Sequence, residues 1–177
     1  NYKIIDNEDL TWDISGNTTF LSNKMKNFGD IFIQAGALNG QGLTGAYSQI
    51  VANNLPIYSY FLYEFKGYDA NGASIYTDVD GNNNDLGFAT KKVVGKQGLP
   101  KMNLGFSTSV NYKNFDAAVS FYGAFGHYLY NNTANAYFFK GAFIGGRNVP
   151  ASVATSVQAQ SGPNATSTKD LEKGDFL

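Results

Sequence analysis

Residues 101–128 read KMNLGFSTSVNYKNFDAAVSFYGAFGHY, and their alternation decides the fold. In the first arm Met102, Leu104, Phe106, Thr108, Val110 and Tyr112 share one face. Lys101, Asn103, Gly105, Ser107, Ser109 and Asn111 share the other. A period of two with one apolar face predicts a β-strand, not a helix. Lys113-Asn114 then fits a two-residue hairpin turn. In the second arm Phe115, Ala117, Val119, Phe121, Gly123 and Phe125 lie on one face. Asp116, Ala118, Ser120, Tyr122, Ala124 and Gly126 lie on the other. Each arm runs to about ten residues, against roughly five or six in an ordinary soluble strand. Long strands with an aromatic face and a small or polar face suit a barrel wall, one side against acyl chains and the other against a wet lumen.

Composition points the same way. The chain has 177 residues, enough for one ordinary domain. Charged residues make up 15%, below the roughly 25% of a soluble domain. Aromatics also reach 15%, with 12 Tyr and 14 Phe, beside 20 Gly. Low charge with many aromatics and glycines favours an all-β protein, either an outer-membrane barrel or a secreted glycan-binding β-domain. A net charge of −1 gives no case for nucleic acid or for an anionic membrane surface through bulk charge. No cysteine is present, so disulfides, thiolate nucleophiles and cysteine metal sites are excluded. No apolar run approaches the roughly 20 residues of a membrane helix, and no signal peptide is visible at Asn1. Both ends read as cuts through a longer polypeptide.

Taken in order, Tyr2, Ile4 and Ile5 form a short apolar patch before the turn-like Asp6-Asn7-Glu8-Asp9. Residues 10–22 predict a second wall strand. Leu10, Trp12, Ile14, Gly16, Thr18 and Phe20 share one face, and Thr11, Asp13, Ser15, Asn17 and Thr19 the other. Asp13 would be costly on a lipid face, so the register is well specified. Trp12 sits where an interfacial aromatic girdle belongs, or in the core of a sandwich. The wall strands are thus expected near 10–22, 101–112 and 115–128.

Residues 23–100 and 129–170 read as two long excursions. Leu55 to Phe65 is dense in aromatics on both faces, which predicts a strand buried on both sides. Ser74 to Asp78 predicts a short strand, and Val79 to Asp85 a polar loop. Ala134 to Phe143 fits either a short helix or a wall strand, and Ser152 to Ala159 a short helix. The Ser/Thr/Gly/Pro-rich 160–168 predicts a mobile loop. Asp170 onward reads as the lead-in to another strand.

Several pieces in this order resemble the C-terminal part of a SusC/RagA-type TonB-dependent outer-membrane transporter. They are Leu10-Thr-Trp12, Leu55-Pro56-Ile57, Glu64-Phe65-Lys66-Gly67-Tyr68-Asp69-Ala70-Asn71-Gly72 and Leu99-Pro100-Lys101-Met-Asn-Leu-Gly105. Tyr112-Lys-Asn-Phe115-Asp116, Gly123-Ala-Phe-Gly126 with Tyr130-Asn131, and Glu172-Lys-Gly174-Asp175-Phe176-Leu177 complete the set. The resemblance implies that the whole of 1–177 is a partial transmembrane domain of a 22-stranded antiparallel barrel with long extracellular loops. It further implies the outer membrane of a Gram-negative bacterium and energised import of a bulky nutrient, an oligosaccharide or a peptide. A SusD-like surface lipoprotein and a TonB complex would be the partners, the latter through parts this chain does not carry, with the lipid bilayer around the wall. Loop length puts the Lys113-Asn114 turn on the periplasmic side and the two excursions outside. Two other classes stay open: a passive porin or adhesin, and a soluble secreted glycan-binding domain.

The sequence offers few chemical constellations. Asp78, Asp80 and Asp85 sit in an Asx-rich run with oxygen ligands at alternate positions, as calcium loops have. Asn83 stands where an EF-hand needs Gly and Ala89 where it needs Glu, and an Asx-rich turn explains the same residues. His127 is the single histidine and reads as a wall or rim residue. Asn17, Asn131 and Asn164 match the N-glycosylation pattern, accidentally for a bacterial protein. Gly36 to Gly42 lacks the Lys-Ser/Thr of a phosphate loop. Tyr58, Tyr60, Tyr128 and Tyr130 are candidates to stack on sugar faces, with packing or girdle roles as the alternative. No acid–base pair or nucleophile motif stands out, so no enzyme is expected.

Overall fold

The computed structural model describes residues 1–39, 43–84, 89–158 and 166–176. In chain order the strands begin with β1 (Tyr2–Asp6), β2 (Leu10–Phe20), β3 (Phe32–Ala37), β4 (Tyr47–Ala52), β5 (Ser59–Leu62) and β6 (Glu64–Tyr68). They continue with β7 (Ser74–Thr77), β8 (Asn83–Asn84), β9 (Lys92–Gln97), β10 (Met102–Tyr112), β11 (Phe115–Phe125), β12 (Tyr128–Tyr130) and β13 (Leu171–Lys173). Three short helices, α1 (Asn132–Tyr137), α2 (Lys140–Ile144) and α3 (Ala151–Ala154), and a 3-10 turn at Thr168–Asp170 lie between β12 and β13. No described helix is long and apolar enough to cross a membrane, which has no bearing on crossing by strands.

The chain divides into two compact units. One holds Asn1–Ser22, Leu99–Tyr128 and Lys173–Leu177. It is built on a four-stranded antiparallel sheet in the order β1-β2-β10-β11. The long hairpin forms in the register that its alternation predicts, Tyr112 opposite Phe115 and Met102 opposite Phe125. Strand β2 pairs along the other edge of β10, from Leu10 opposite Tyr112 to Phe20 opposite Met102. Three-residue rows therefore run across one face: Trp12–Val110–Ala117, Ile14–Thr108–Val119 and Gly16–Phe106–Phe121. Aromatic rows close both ends of that face, with Tyr112 and Phe115 at the turn and Phe20 and Phe125 opposite. At 78% and 76%, Phe115 and Phe20 are among its most exposed side chains. The other face carries the row Ser15–Ser107–Ser120, where Ser107 Oγ donates to Ser15 Oγ at 3.2 Å. Asn111 Nδ2 donates to Thr11 Oγ1 at 3.1 Å. Asn17 lies over Gly105, where a Cβ would come within 2.8 Å of its amide.

The ends of these strands differ slightly from the sequence expectation. Leu21 N donates to Lys101 O at 2.8 Å, and there the ladder of β2 stops. Gly126, at φ +78°, turns the chain out of β11 before His127. Lys113 takes φ +52° in the hairpin turn, and its N–H donates to Asp9 O of the neighbouring turn. Phe176 exchanges both backbone hydrogen bonds with Ala124, at 3.0 and 3.1 Å, so the segment after β13 adds to the edge of β11.

The second unit holds Asn23–Gly98 and Leu129–Glu172. It contains a four-stranded sheet in the order β3-β4-β5-β9 and a three-stranded sheet, β6-β7-β8. Leu38, Leu43 and Ala136 form a buried cluster joined by Ala46 and Tyr130. Leu62 and Tyr76 are sealed at 0% and 1% exposure.

Three sequence expectations change here. Leu55–Phe65 is not one strand, although its first part, β5, is buried on both faces as expected. It supplies β5 to one sheet and β6 to another, and Tyr63 between them bridges to Ser167. Its poor alternation is the sum of two short registers. Ala134–Phe143 resolves into the ends of α1 and α2, with no wall strand. The third helix stops at Ala154, well short of Ala159, with Pro150 at its N-cap. Within the Val79–Asp85 loop, Asn83 and Asn84 pair with Thr77 and Tyr76. Most of the 160–168 loop, Asn164 and the Gly40–Gly42 end of the glycine-rich run lie outside the described residues.

Candidate functional site

The four candidate tyrosines do not form one surface. Tyr58 precedes β5 at φ +57°, with its ring 44% exposed. Tyr60, two residues on, points inward at 3% exposure. Its hydroxyl bonds with the Gln49 side chain and the Tyr130 backbone, while burial pushes its pKa up. Gly98 makes that contact possible, since a Cβ there would come within 2.7 Å of Gln49 Nε2. Tyr130 belongs to the same unit, and its hydroxyl accepts from Ser167 N at 3.2 Å. Tyr128 falls in the first unit and is half-buried. Tyr58 alone of the four therefore offers an exposed ring face, while Tyr60 and Tyr130 are packed.

The calcium-loop residues also separate. Asp78 is buried, and its Oδ1 accepts from Thr90 N at 2.7 Å and Thr90 Oγ1 at 3.1 Å. Its backbone closes the turn with Gly81 and Asn82. Lys92 Nζ donates to Asp78 O at 3.2 Å and pairs with Glu64 at 2.5 Å. Asp80 is exposed and holds Asn82 Nδ2 at 3.5 Å. Asp85 lies outside the described residues. Among the described residues no three His, Cys, Asp or Glu side chains converge as a metal site would require.

The cluster that sequence reasoning missed surrounds Asp170. This carboxyl is 6% exposed and bonds with the Tyr130 hydroxyl. Burial raises its pKa to about 6, against the attraction of Lys169 and the Tyr130 bond. Tyr76 is pushed up to about 12, chiefly by burial and against a side-chain bond with Ser74, and Ser167 Oγ is buried nearby without a hydrogen-bond partner. Burial also raises Tyr130, with the Asp170 charge adding to it. In the sequence Asp170 is one acid in the ordinary run Asp170-Leu-Glu-Lys. Nothing local marks it, because residues 63–65 and 130–131, remote in sequence, enclose it. Elsewhere in the unit Lys91 places its ammonium 4.2 Å from the Tyr47 ring centre and donates to Tyr47 O, and burial lowers its pKa.

No protein-family model matches the chain. In sequence it is 29% identical over 152 residues to the TonB-dependent receptor P3 of Formosa agariphila, which covers 75% of this chain. It is 28% identical over 145 residues to the TonB-dependent receptor SusC of Bacteroides thetaiotaomicron, covering 76%. The chain spans only 15% and 14% of the length of these two relatives. In fold it is similar to a chain of the RagAB peptide transporter, with a TM-score of 0.68 and 17% identity over 98% of this chain. The RagAB peptide importer in its open-open state gives 0.72 and 16%, and this chain covers 20% of each. The resemblance carried by the sequence motifs therefore holds, in sequence toward SusC and in fold toward RagAB. All of these proteins are named as receptors or transporters, none as an enzyme.

Proposed function

We propose that this chain is a sector of a SusC/RagA-type TonB-dependent transporter in the outer membrane of a Gram-negative bacterium. In this reading β1, β2, β10 and β11 are wall strands of a 22-stranded barrel, and the second unit is built from its extracellular loops. The observation that carries it is the sheet whose large apolar side chains are exposed on one face, while the other face, Tyr122 apart, is laddered with serine, asparagine and threonine. An eleven-residue strand is roughly 36 Å long, and tilted by about 45° it spans roughly 25 Å of apolar band. The aromatic rows at both ends fall where interfacial girdles sit.

The intact protein would import a bulky nutrient, for which we favour a glycan oligosaccharide over a peptide. SusC-like relatives in sequence support the import reading, and the exposed Tyr58 ring supports a sugar-stacking contact. A SusD-like lipoprotein and the TonB complex would be its partners. No cofactor enters this reading: the engagement of Asp78 with Thr90 supports a turn-building role over a calcium ligand. The test is uptake by cells carrying the intact protein. Growth on the oligosaccharide that disappears when either the transporter or TonB is deleted supports the proposal. Growth that persists without TonB sinks it in favour of a passive porin, and recovery of the protein from the soluble fraction sinks the membrane reading outright.

A further inference from the structure

Within the second unit, residues 166–172 form a return segment fastened at several points. Thr168 N donates to Tyr63 O at 3.0 Å, and Phe65 N donates to Thr168 Oγ1 at 3.0 Å. Ser167 N donates to the Tyr130 hydroxyl at 3.2 Å. Asn131 N donates to Asp170 O at 2.7 Å, and Asn131 Nδ2 to Glu172 Oε1 at 2.6 Å. Asp170 and the Tyr130 hydroxyl lie at the centre, where each is enclosed. We propose that Asp170 and Tyr130 form a proton-operated latch, which holds the 166–172 segment closed when the carboxyl is protonated and loosens it when the carboxyl ionises.

The physical argument concerns what surrounds the carboxyl. Ionisation places a charge among the buried Tyr130 and Tyr76 hydroxyls and the half-buried Tyr68, all neutral. Of the flanking charges, Lys169 favours ionisation and Glu172 opposes it. Lys169 also faces the Phe65 ring, with its ammonium 5.7 Å from the centroid. On β6, Glu64 is engaged by Lys92 and Lys66 is exposed, and α1 carries no charged side chain. Burial therefore outweighs the attractions, and the folded pKa lies near 6 against an ordinary 3.8. The sign follows. The closed segment binds the proton more tightly than the open one, so closure is strongest below the ordinary carboxyl pKa. It weakens as pH rises and levels off above the folded value.

Amide hydrogen exchange on the intact protein in detergent, followed from pH 4 to pH 8 and corrected for intrinsic rates, tests this. The opening equilibrium of residues 166–172 should rise with pH by between about tenfold and a hundredfold, mostly before pH 6.5. Amides of β10 and β11 should show no such change. Asp170→Asn should flatten the profile, and Tyr130→Phe should move its midpoint to higher pH by removing a donor from the carboxylate. Superimposable wild-type and D170N profiles would overturn the latch. So would protection that increases with pH, or a Y130F midpoint that stays put or falls. Should D170N fail to fold, the wild-type slope and the Y130F midpoint decide the matter alone.

Discussion

The two units solve the burial of apolar surface in opposite ways. In the excursion unit, Leu38, Leu43, Ile50, Tyr60, Leu62 and Tyr76 are all buried. That is how a protein folds against water, and each buried side chain of this size contributes on the order of 1.5–3 kcal/mol. In the wall unit Ala124 is the one buried hydrophobic residue among those described, while Phe20, Tyr112, Phe115, Val119 and Phe121 stand exposed along one face. A sheet with that face in water would be an aggregation surface. The same face against acyl chains needs no cover, and the backbone of β2 and β10 is paired on both sides, while β1 and β11 are edges that a continuing barrel wall would pair. The contrast teaches that exposure is a statement about solvent: one unit buries its apolar side chains within itself, and the other leaves them exposed on one face, which under the proposed reading meets lipid.

The largest expected effect tests the water-folded half. Leu62→Ala removes a fully buried side chain from β5 and should cost about 2–5 kcal/mol, read as the shift in the urea midpoint of that unit. A shift below half a kcal/mol would mean that the core around β5 is not packed. Next comes a depth series on the wall. Phe106 is near the middle of β10, Val110 nearer the hairpin turn, and Tyr112 beside it. Arginine at these positions should destabilise the intact protein in bilayers by about 2–4 kcal/mol at Phe106, falling to about 0–1 at Tyr112. Val79→Arg, at a more exposed position in the excursion unit, should stay within about 0.5 kcal/mol. Equal tolerance at every depth would erase the distinction between the units. Smaller again is Asp78→Ala, which strips Thr90 of both its hydrogen bonds and should cost about 2 kcal/mol.

Sequence reading succeeded where structure is local and one-sided. The register of β2, β10 and β11 follows from strict alternation, because a slip by one residue would move Asp13 and Asn111 onto the apolar face. It failed where partners are distant. The sheet order β3-β4-β5-β9 brings Leu62 beside Lys92, thirty residues away, and no local pattern announces that pairing. Tyr60 read as either a sugar-stacking or a packing residue, because an aromatic run looks the same whether it faces a sugar or a core. Its burial depends on Gln49 and Tyr130. Asp170 was invisible for the same reason, since a buried acid is defined by what surrounds it.

Asn131 gives the finest test of how the excursion unit is held together, because it acts in two directions. Its Oδ1 accepts from Ala134 N at 2.9 Å and so caps α1, while its Nδ2 reaches Glu172. A cap is worth about 1 kcal/mol and an exposed hydrogen bond to a carboxylate somewhat less. Asn131→Ala loses both and should cost about 1–2 kcal/mol. Asn131→Ser keeps a capping oxygen but cannot span to Glu172, so it isolates the second contribution. Asn131→Asp keeps the cap, yet turns the donor into an acceptor facing an acid. The expected order of stability is wild type, then N131S, then N131D and N131A, read from the unit's unfolding midpoint at neutral pH. If N131D equals wild type, the Glu172 contact contributes nothing and the cap alone matters. If N131S is as poor as N131A, the unit depends on the link to β13 and not on the helix.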